Sequence, residues 1–243
     1  MNLIIDVGNT FVKFAVYNQN KLKEKVVGKL DDFENMLSNI FNSDLNYIDK
    51  AIVSSVGKLK STSINALKKR VPVIELSHNI KLPFKNLYAT PTTLGVDRIA
   101  LVSASVEQFP DHNVLVIDAG TCITYDFINT KNEYLGGAIS PGIRLRYRTL
   151  NNLTANLPLL DTEMPQDILG DSTQNSIHSG VVFGVLKEID GVIDEYVKKY
   201  SDLTVILTGG DTKFLSNQLK NSIFANSNFL LEGLNFILEY NSQ

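Results

Sequence analysis

The feature that most constrains this chain is a pattern that occurs twice. NLIIDVGNTFVKFAV begins at Asn2, and VLVIDAGTCITYDFI begins at Val114. In each, an apolar strand runs into an aspartate (Asp6, Asp118), one small or apolar residue and a glycine follow, and threonine leads into a second strand. That order predicts a hairpin whose turn needs the conformational freedom of glycine. A lone Asp-x-Gly is usually nothing more than a turn. Two copies at matching positions point to an internal duplication and to a shared task.

The segments after each copy also correspond. After the first hairpin, KLKEKVVGKL predicts a third strand and DDFENMLSNIF a helix with an acidic start. KAIVSSVG is a buried strand, STSINALKKR a helix capped by Ser or Thr, and PVIEL another strand. NLYATPTT is loop, and LGVDRIALVSASVEQF is a helix with Thr92 or Thr93 as its cap. After the second hairpin come the strand YLGGAIS, a turn and helix in PGIRLRYRTLNNL, a long helix in TQNSIHSGVVFGVLKEIDGVIDEYVKKY, and strand, glycine turn and helix in LTVILTGGDTKFLSNQL. No low-complexity linker separates the halves. The boundary falls around FPDHN, giving domains of residues 1–112 and 113–243.

Composition excludes several classes. With 243 residues, 44% of them apolar, the chain can bury a sizeable core as one large or two small domains. A net charge of -3 gives no overall attraction to nucleic acid or to an anionic membrane. No stretch approaches the roughly 18 apolar residues of a membrane span, and the N-terminus lacks a basic segment, so a cytoplasmic protein is expected. The single cysteine, Cys122, forms no internal disulfide, and His78, His112 and His178 are too scattered for a zinc site.

The repeated loop differs from the commoner phosphate binders, which place glycines between a strand and a helix. Here the loop joins two strands. Its glycine lets backbone amides approach a phosphate, Asn9, Thr10 and Thr121 can donate hydrogen bonds, and the strand-end aspartates can hold a cation. Two copies could clamp one polyphosphate between them.

DVGNTFVK, DAGTCITYD, GGAISPG and TGGD together resemble the phosphate and adenosine motifs of the actin, Hsp70 and sugar kinase superfamily. Within it, the small size and YATPTTLGVDRIA (Tyr88 to Ala100) are similar to the type III pantothenate kinases, over a stretch from Asp6 to about Asp211. The resemblance implies an α/β fold of two ribonuclease H-like domains. It also implies ATP-dependent phosphorylation of pantothenate toward coenzyme A, by a homodimer using Mg2+ with its ATP and a monovalent cation, K+ or NH4+.

Carried over residue by residue, Asp6, Val7, Gly8, Asn9, Thr10, Phe11, Val12 and Lys13 would surround the ATP phosphates, Thr121 would contact nucleotide, and Asp118 would bind the monovalent cation. Tyr88, Gly95, Val96, Asp97 and Arg98 would form the pantothenate site, with Thr173 reaching in from the other half or the other subunit, and Asp97 would be the base. The residues alone leave blander roles open. Asp97 in the first turn of a helix suits the helix dipole, Lys13 suits a solvated strand, and the glycine pair of TGGD suits any strand-to-helix turn. Gly180, Gly184 and Gly191 would allow close packing of the long helix, at a subunit interface if the protein is a dimer. Two other functions stay open: a different kinase or phosphohydrolase on the same fold, and a non-catalytic nucleotide-dependent regulator.

Overall fold

The first hairpin forms where the apolar run and the Asp-x-Gly turn put it. In the computed structural model, which describes residues 1–8, 11–43, 47–55 and 59–242, β1 (Asn2–Val7) is buried along its whole length and pairs antiparallel with β2 (Val12–Asn18). A strand apolar on both faces belongs at the centre of a sheet. Accordingly, β1 lies between β2 and a parallel strand reached after β3 (Lys21–Gly28), a single turn of 3-10 helix at Leu30–Asp32, and α1 (Phe33–Asn42). That strand is β4 (Lys50–Ser55); α2 (Ser61–Lys68) then leads to β5 (Val73–Glu75), which completes the order β3-β2-β1-β4-β5.

Two helix starts differ from the sequence expectation. The residue before α2 is Lys60, with no side-chain cap, and Ser63 spends its hydroxyl on Glu34, 2.6 Å away. Following β6 (Lys85–Asn86), Pro91–Thr93 form a separate 3-10 turn, within which the Thr93 hydroxyl donates to the Thr90 carbonyl at 2.9 Å. The helix α3 (Val96–Gln108) therefore starts later, with Gly95 in the cap position instead of Thr92 or Thr93.

The second hairpin joins β7 (Asn113–Ala119) to β8 (Cys122–Ile128), and β9 (Glu133–Pro141) follows. After α4 (Ile143–Asn152), the long helix forms as α5 (Thr173–His178), a π-helical stretch at Ser179–Phe183, and α6 (Gly184–Lys199). The last strands are β10 (Leu203–Thr208) and, beyond α7 (Thr212–Leu215), β11 (Phe224–Ala225). Their sheet has the order β11-β10-β7-β8-β9-β6, with β6 paired parallel to β9 at its edge. Apart from β6, this repeats the strand order of the first sheet.

The chain divides into two units, one of residues 1–110, 132–134 and 228–243 and the other of residues 111–131 and 135–227. The final helix, α8 (Phe229–Tyr240), is thus part of the first unit although it is last in sequence. It lies against α3 so closely that a β-carbon on Gly233 would stand 1.9 Å from the Ala100 carbonyl oxygen. Its polar side chains reach the first sheet: Asn2 donates to Asn235 and Glu239, each at 2.7 Å, and Lys50 pairs with Glu239 at 3.0 Å. Each unit has its own core. In the first, Leu3, Ile5, Phe14 and Val16 pack on Phe33, Leu37 and Ile40; in the second, Leu115, Ile117, Tyr125 and Phe127 pack on Val185, Ile189 and Ile193.

Candidate active site

In the first unit, β1 and β2 bring Asp6 and Lys13 into register, and the Lys13 ammonium reaches the Asp6 carboxylate at 3.0 Å. Gly8 N–H donates to the Phe11 carbonyl at 3.0 Å, so the turn is closed by its own backbone. Val7 and Val12 are fully buried, while Phe11 is 51% exposed. Asn9 and Thr10 lie outside the described residues. Asp6 is almost wholly buried, and burial pushes its carboxyl above the usual range; Lys13 opposes that shift, and the negative charge of Asp97 adds to it. Asp97 therefore stands close enough to the first loop to be felt by Asp6.

The other expected substrate residues gather at the start of α3. Gly95 is the cap, Val96 and Asp97 are half-buried, and Asp97 Oδ1 accepts from the Arg98 N–H at 2.9 Å. Arg98 is buried, an uncommon place for a guanidinium, and its charged carbon lies 5.6 Å from the centre of the Tyr88 ring. Tyr88 in turn lies 6.0 Å from Tyr134, which touches Phe84. An aromatic wall, a buried cation and a half-buried carboxylate thus occupy one corner, which suits a small molecule carrying both a carboxylate and a hydroxyl.

In the second unit, Asp118 is next to last in β7, beside the TGGD turn. Gly209 has φ 96°, open to glycine but strained for other residues, and a β-carbon there would lie 2.3 Å from Asp118 Oδ1. The TGGD turn is tied to the end of β7 by Asp211 N–H donating to the Ala119 carbonyl, and the β7–β8 turn is closed by Gly120 N–H donating to the Cys122 carbonyl, both at 2.9 Å. Thr121 is exposed at its tip. Thr173 is exposed at the first position of α5, whose cap is the Ser172 hydroxyl accepting from Asn175 N–H at 3.2 Å.

Three charged residues at this end were not singled out from sequence. Arg144 lies 2.8 Å from Asp211, and Arg146 pairs with Glu188, which also accepts from the Tyr125 hydroxyl at 3.1 Å. Burial pushes the Asp211 carboxyl up against the opposing pull of Arg144. Burial also raises Glu188, but hydrogen bonds from Arg146, Ser140 and Tyr125 outweigh it and leave the carboxyl below its usual range. The available signal was the row of arginines in IRLRYR, which reads as a solvated helix face until its partners are known.

Two sheets that share a five-strand order, each opening on an Asp-x-Gly hairpin, define a ribonuclease H-like protein of the actin and sugar kinase type. Solved structures agree on the fold. A conserved Campylobacter jejuni protein of the Baf family, proposed as a transcriptional activator, superposes with a TM-score of 0.66 at 23% identity, covering 99% of this chain and 98% of its own. A ROK family glucokinase from Streptomyces griseus, in complex with glucose and AMPPNP, gives 0.54 at 10% identity, covering 100% and 99%. The family model for type III pantothenate kinase matches residues 2–195. Enzymes of that name from Christiangramia forsetii and Flavobacterium johnsoniae are 54% and 50% identical, covering 99% of this chain and 99% and 98% of their own. The chain belongs to the type III pantothenate kinase family.

Proposed function

We propose that the chain transfers the γ-phosphoryl group of ATP to the primary hydroxyl of pantothenate, giving 4'-phosphopantothenate for coenzyme A synthesis. Family membership supports the reaction. The observation that carries the assignment of residues is the corner at the start of α3, where Asp97 accepts from the Arg98 N–H and the Arg98 guanidinium lies beside the Tyr88 ring.

In this reading Arg98 holds the pantothenate carboxylate, for which a planar guanidinium is suited, and Tyr88 flanks the chain of the substrate. Asp97 orients the hydroxyl and accepts its proton as the oxygen bonds to phosphorus and the bond to ADP breaks. Phosphoryl transfer proceeds through a loose transition state, so positioning and charge stabilisation do most of the work and a weak, well-placed base suffices. Residues 6–13 bind phosphates, with Lys13 supplying positive charge, and Thr121 contacts the nucleotide. Thr173 is assigned to pantothenate by family resemblance, from the same chain or from a second subunit.

Among the described residues no three His, Cys, Asp or Glu side chains gather as a metal centre. Asp118, near the end of β7 with the Ala119 carbonyl nearby, offers oxygen ligands of the kind a monovalent cation, K+ or NH4+, would take. Bound cations, Mg2+ with the ATP included, would neutralise phosphate charge. We place the protein in the cytoplasm; among the described residues no helix is long and apolar enough to cross a membrane. A homodimer is supported by the apolar side chains that the second unit leaves in water, Leu153, Leu159, Ile168 and Leu169, each at least 60% exposed.

The test is phosphate transfer from ATP to pantothenate beside a panel of small acids and sugars. Preference for pantothenate supports the reading. Preference for a sugar would make the chain a different kinase on the same fold, and no transfer to any acceptor would favour the regulator.

A further inference from the structure

Gly142, at the cap of α4, approaches the second phosphate loop more closely than any side chain would allow. Its N–H donates to the Thr121 carbonyl at 3.0 Å, and a β-carbon on it would stand 2.1 Å from the Gly120 carbonyl oxygen. The Gly120–Thr121 turn therefore rests on the end of β9, and the position of that end decides the position of the turn. The two residues before Gly142 are held by one side chain. Arg146 donates through Nε to the Pro141 carbonyl at 2.9 Å and through Nη2 to the Ser140 hydroxyl at 3.1 Å. The same Nη2 meets Glu188 of α6, whose other carboxylate oxygen accepts from Tyr125 of β8.

A chain of direct contacts thus runs from α6 and β8 through Arg146 to Ser140 and Pro141, and through Gly142 to Gly120 and Thr121. We propose that Arg146, fixed by Glu188 and Tyr125, is a positioning residue for ATP: it sets the Gly120–Thr121 turn without touching the nucleotide. The inference rests on the reading of that turn as a nucleotide loop.

Two physical arguments favour positioning over simple stabilisation. A partly buried ion pair contributes little net stability, because desolvation offsets the attraction, whereas it does fix geometry. The arrangement also needs the guanidinium fork, since a lysine ammonium reaching Glu188 has no second, rigidly held donor for the Pro141 carbonyl. Misplacing a binding group by about 1 Å can cost up to about 10²-fold, which gives such a support its leverage.

The test measures AMPPNP affinity by calorimetry, KM for ATP and for pantothenate, and the thermal melt of Arg146→Met, Arg146→Lys and Glu188→Gln. Arg148→Met, on an exposed position of the same helix, is the control, and Thr121→Val probes the turn. For Arg146→Met, weakening of AMPPNP binding and a rise in KM for ATP of about tenfold or more are expected, with KM for pantothenate unchanged. Arg146→Lys and Glu188→Gln should fall between it and the wild type, and Arg148→Met should match the wild type. If the Arg146 and Glu188 variants lower the melt but keep wild-type nucleotide affinity, the network is scaffold only and the proposal is overturned. Should Arg146→Met fail to fold, the other two variants decide by the same criterion. Weaker nucleotide binding in Thr121→Val without any in the Arg146 variants would overturn the positioning role alone; no change in either would overturn the nucleotide loop as well.

Discussion

Lys13 and Asp6 face each other across the β1–β2 hairpin, ammonium to carboxylate at 3.0 Å, with Asp6 almost completely withdrawn from water. Burial raises the Asp6 carboxyl, Lys13 lowers it, and Asp97 raises it again. Because its folded value lies above that of the unfolded chain, Asp6 favours folding most below its ordinary pKa of 3.8, and this contribution is lost as pH rises through the folded value. Removing the opposing charge with Lys13→Met should move the Asp6 titration further up, extending that window to higher pH. Side-chain carboxyl NMR checks it, and an unmoved Asp6 titration would mean the pair is not formed.

The docking of α8 gives a second expectation. Gly233→Ala forces a methyl group onto the Ala100 backbone, which cannot move aside as a side chain would. Overpacking of this kind typically costs about 1–3 kcal/mol, to be read from the urea midpoint at constant m-value. An unchanged midpoint would show that α8 does not pack on α3.

Much of the fold was legible because each signal was local. Continuous apolar runs ending at Asp6 and Asp118 gave both hairpins, and the stretch TQNSIHSGVVFGVLKEIDGVIDEYVKKY gave the long helix, though not the π turn within it. The membership of α8 was not legible, since its place depends on Gly233 meeting Ala100 and on Asn235 and Glu239 meeting Asn2, residues remote in sequence. Thr92 and Thr93 were reasonable caps by type, but Pro91 starts a separate turn that uses the Thr93 hydroxyl. Of the candidate site, Asp6, Lys13, Tyr88, Asp97 and Arg98 could be named from motif. That Asp97 acts on Asp6 and Arg98 lies over Tyr88 required the structure. Arg146 and Glu188 stayed hidden because charged residues on helices are usually solvated.

Arg98 should separate kinetically from Asp97. Arg98→Lys keeps the charge but loses the paired donors, so KM for pantothenate should rise while kcat changes little. A fall in kcat at unchanged KM would place Arg98 on the transferring phosphoryl group instead.

If Asp118 holds a monovalent cation, activity in K+ or NH4+ should exceed that in Na+ alone at fixed Mg2+, and Asp118→Asn should abolish the difference. Equal turnover in the three salts would remove the cation from the account.

The exposed leucines and isoleucine of residues 153–169 predict a dimer. Light scattering at concentrations where the enzyme is active should give twice the chain mass, and a species of 27.0 kDa there would contradict it.

The most direct test of the central claim is the turnover of Asp97→Asn in ATP-dependent phosphorylation of pantothenate, measured with its melt and its AMPPNP affinity. The account predicts wild-type folding and nucleotide binding with kcat lowered by about 10²- to 10⁴-fold, the usual loss when a general base is removed. Near-normal kcat in a variant that folds and binds nucleotide like the wild type would contradict it and leave Asp97 as a residue that merely suits the start of a helix.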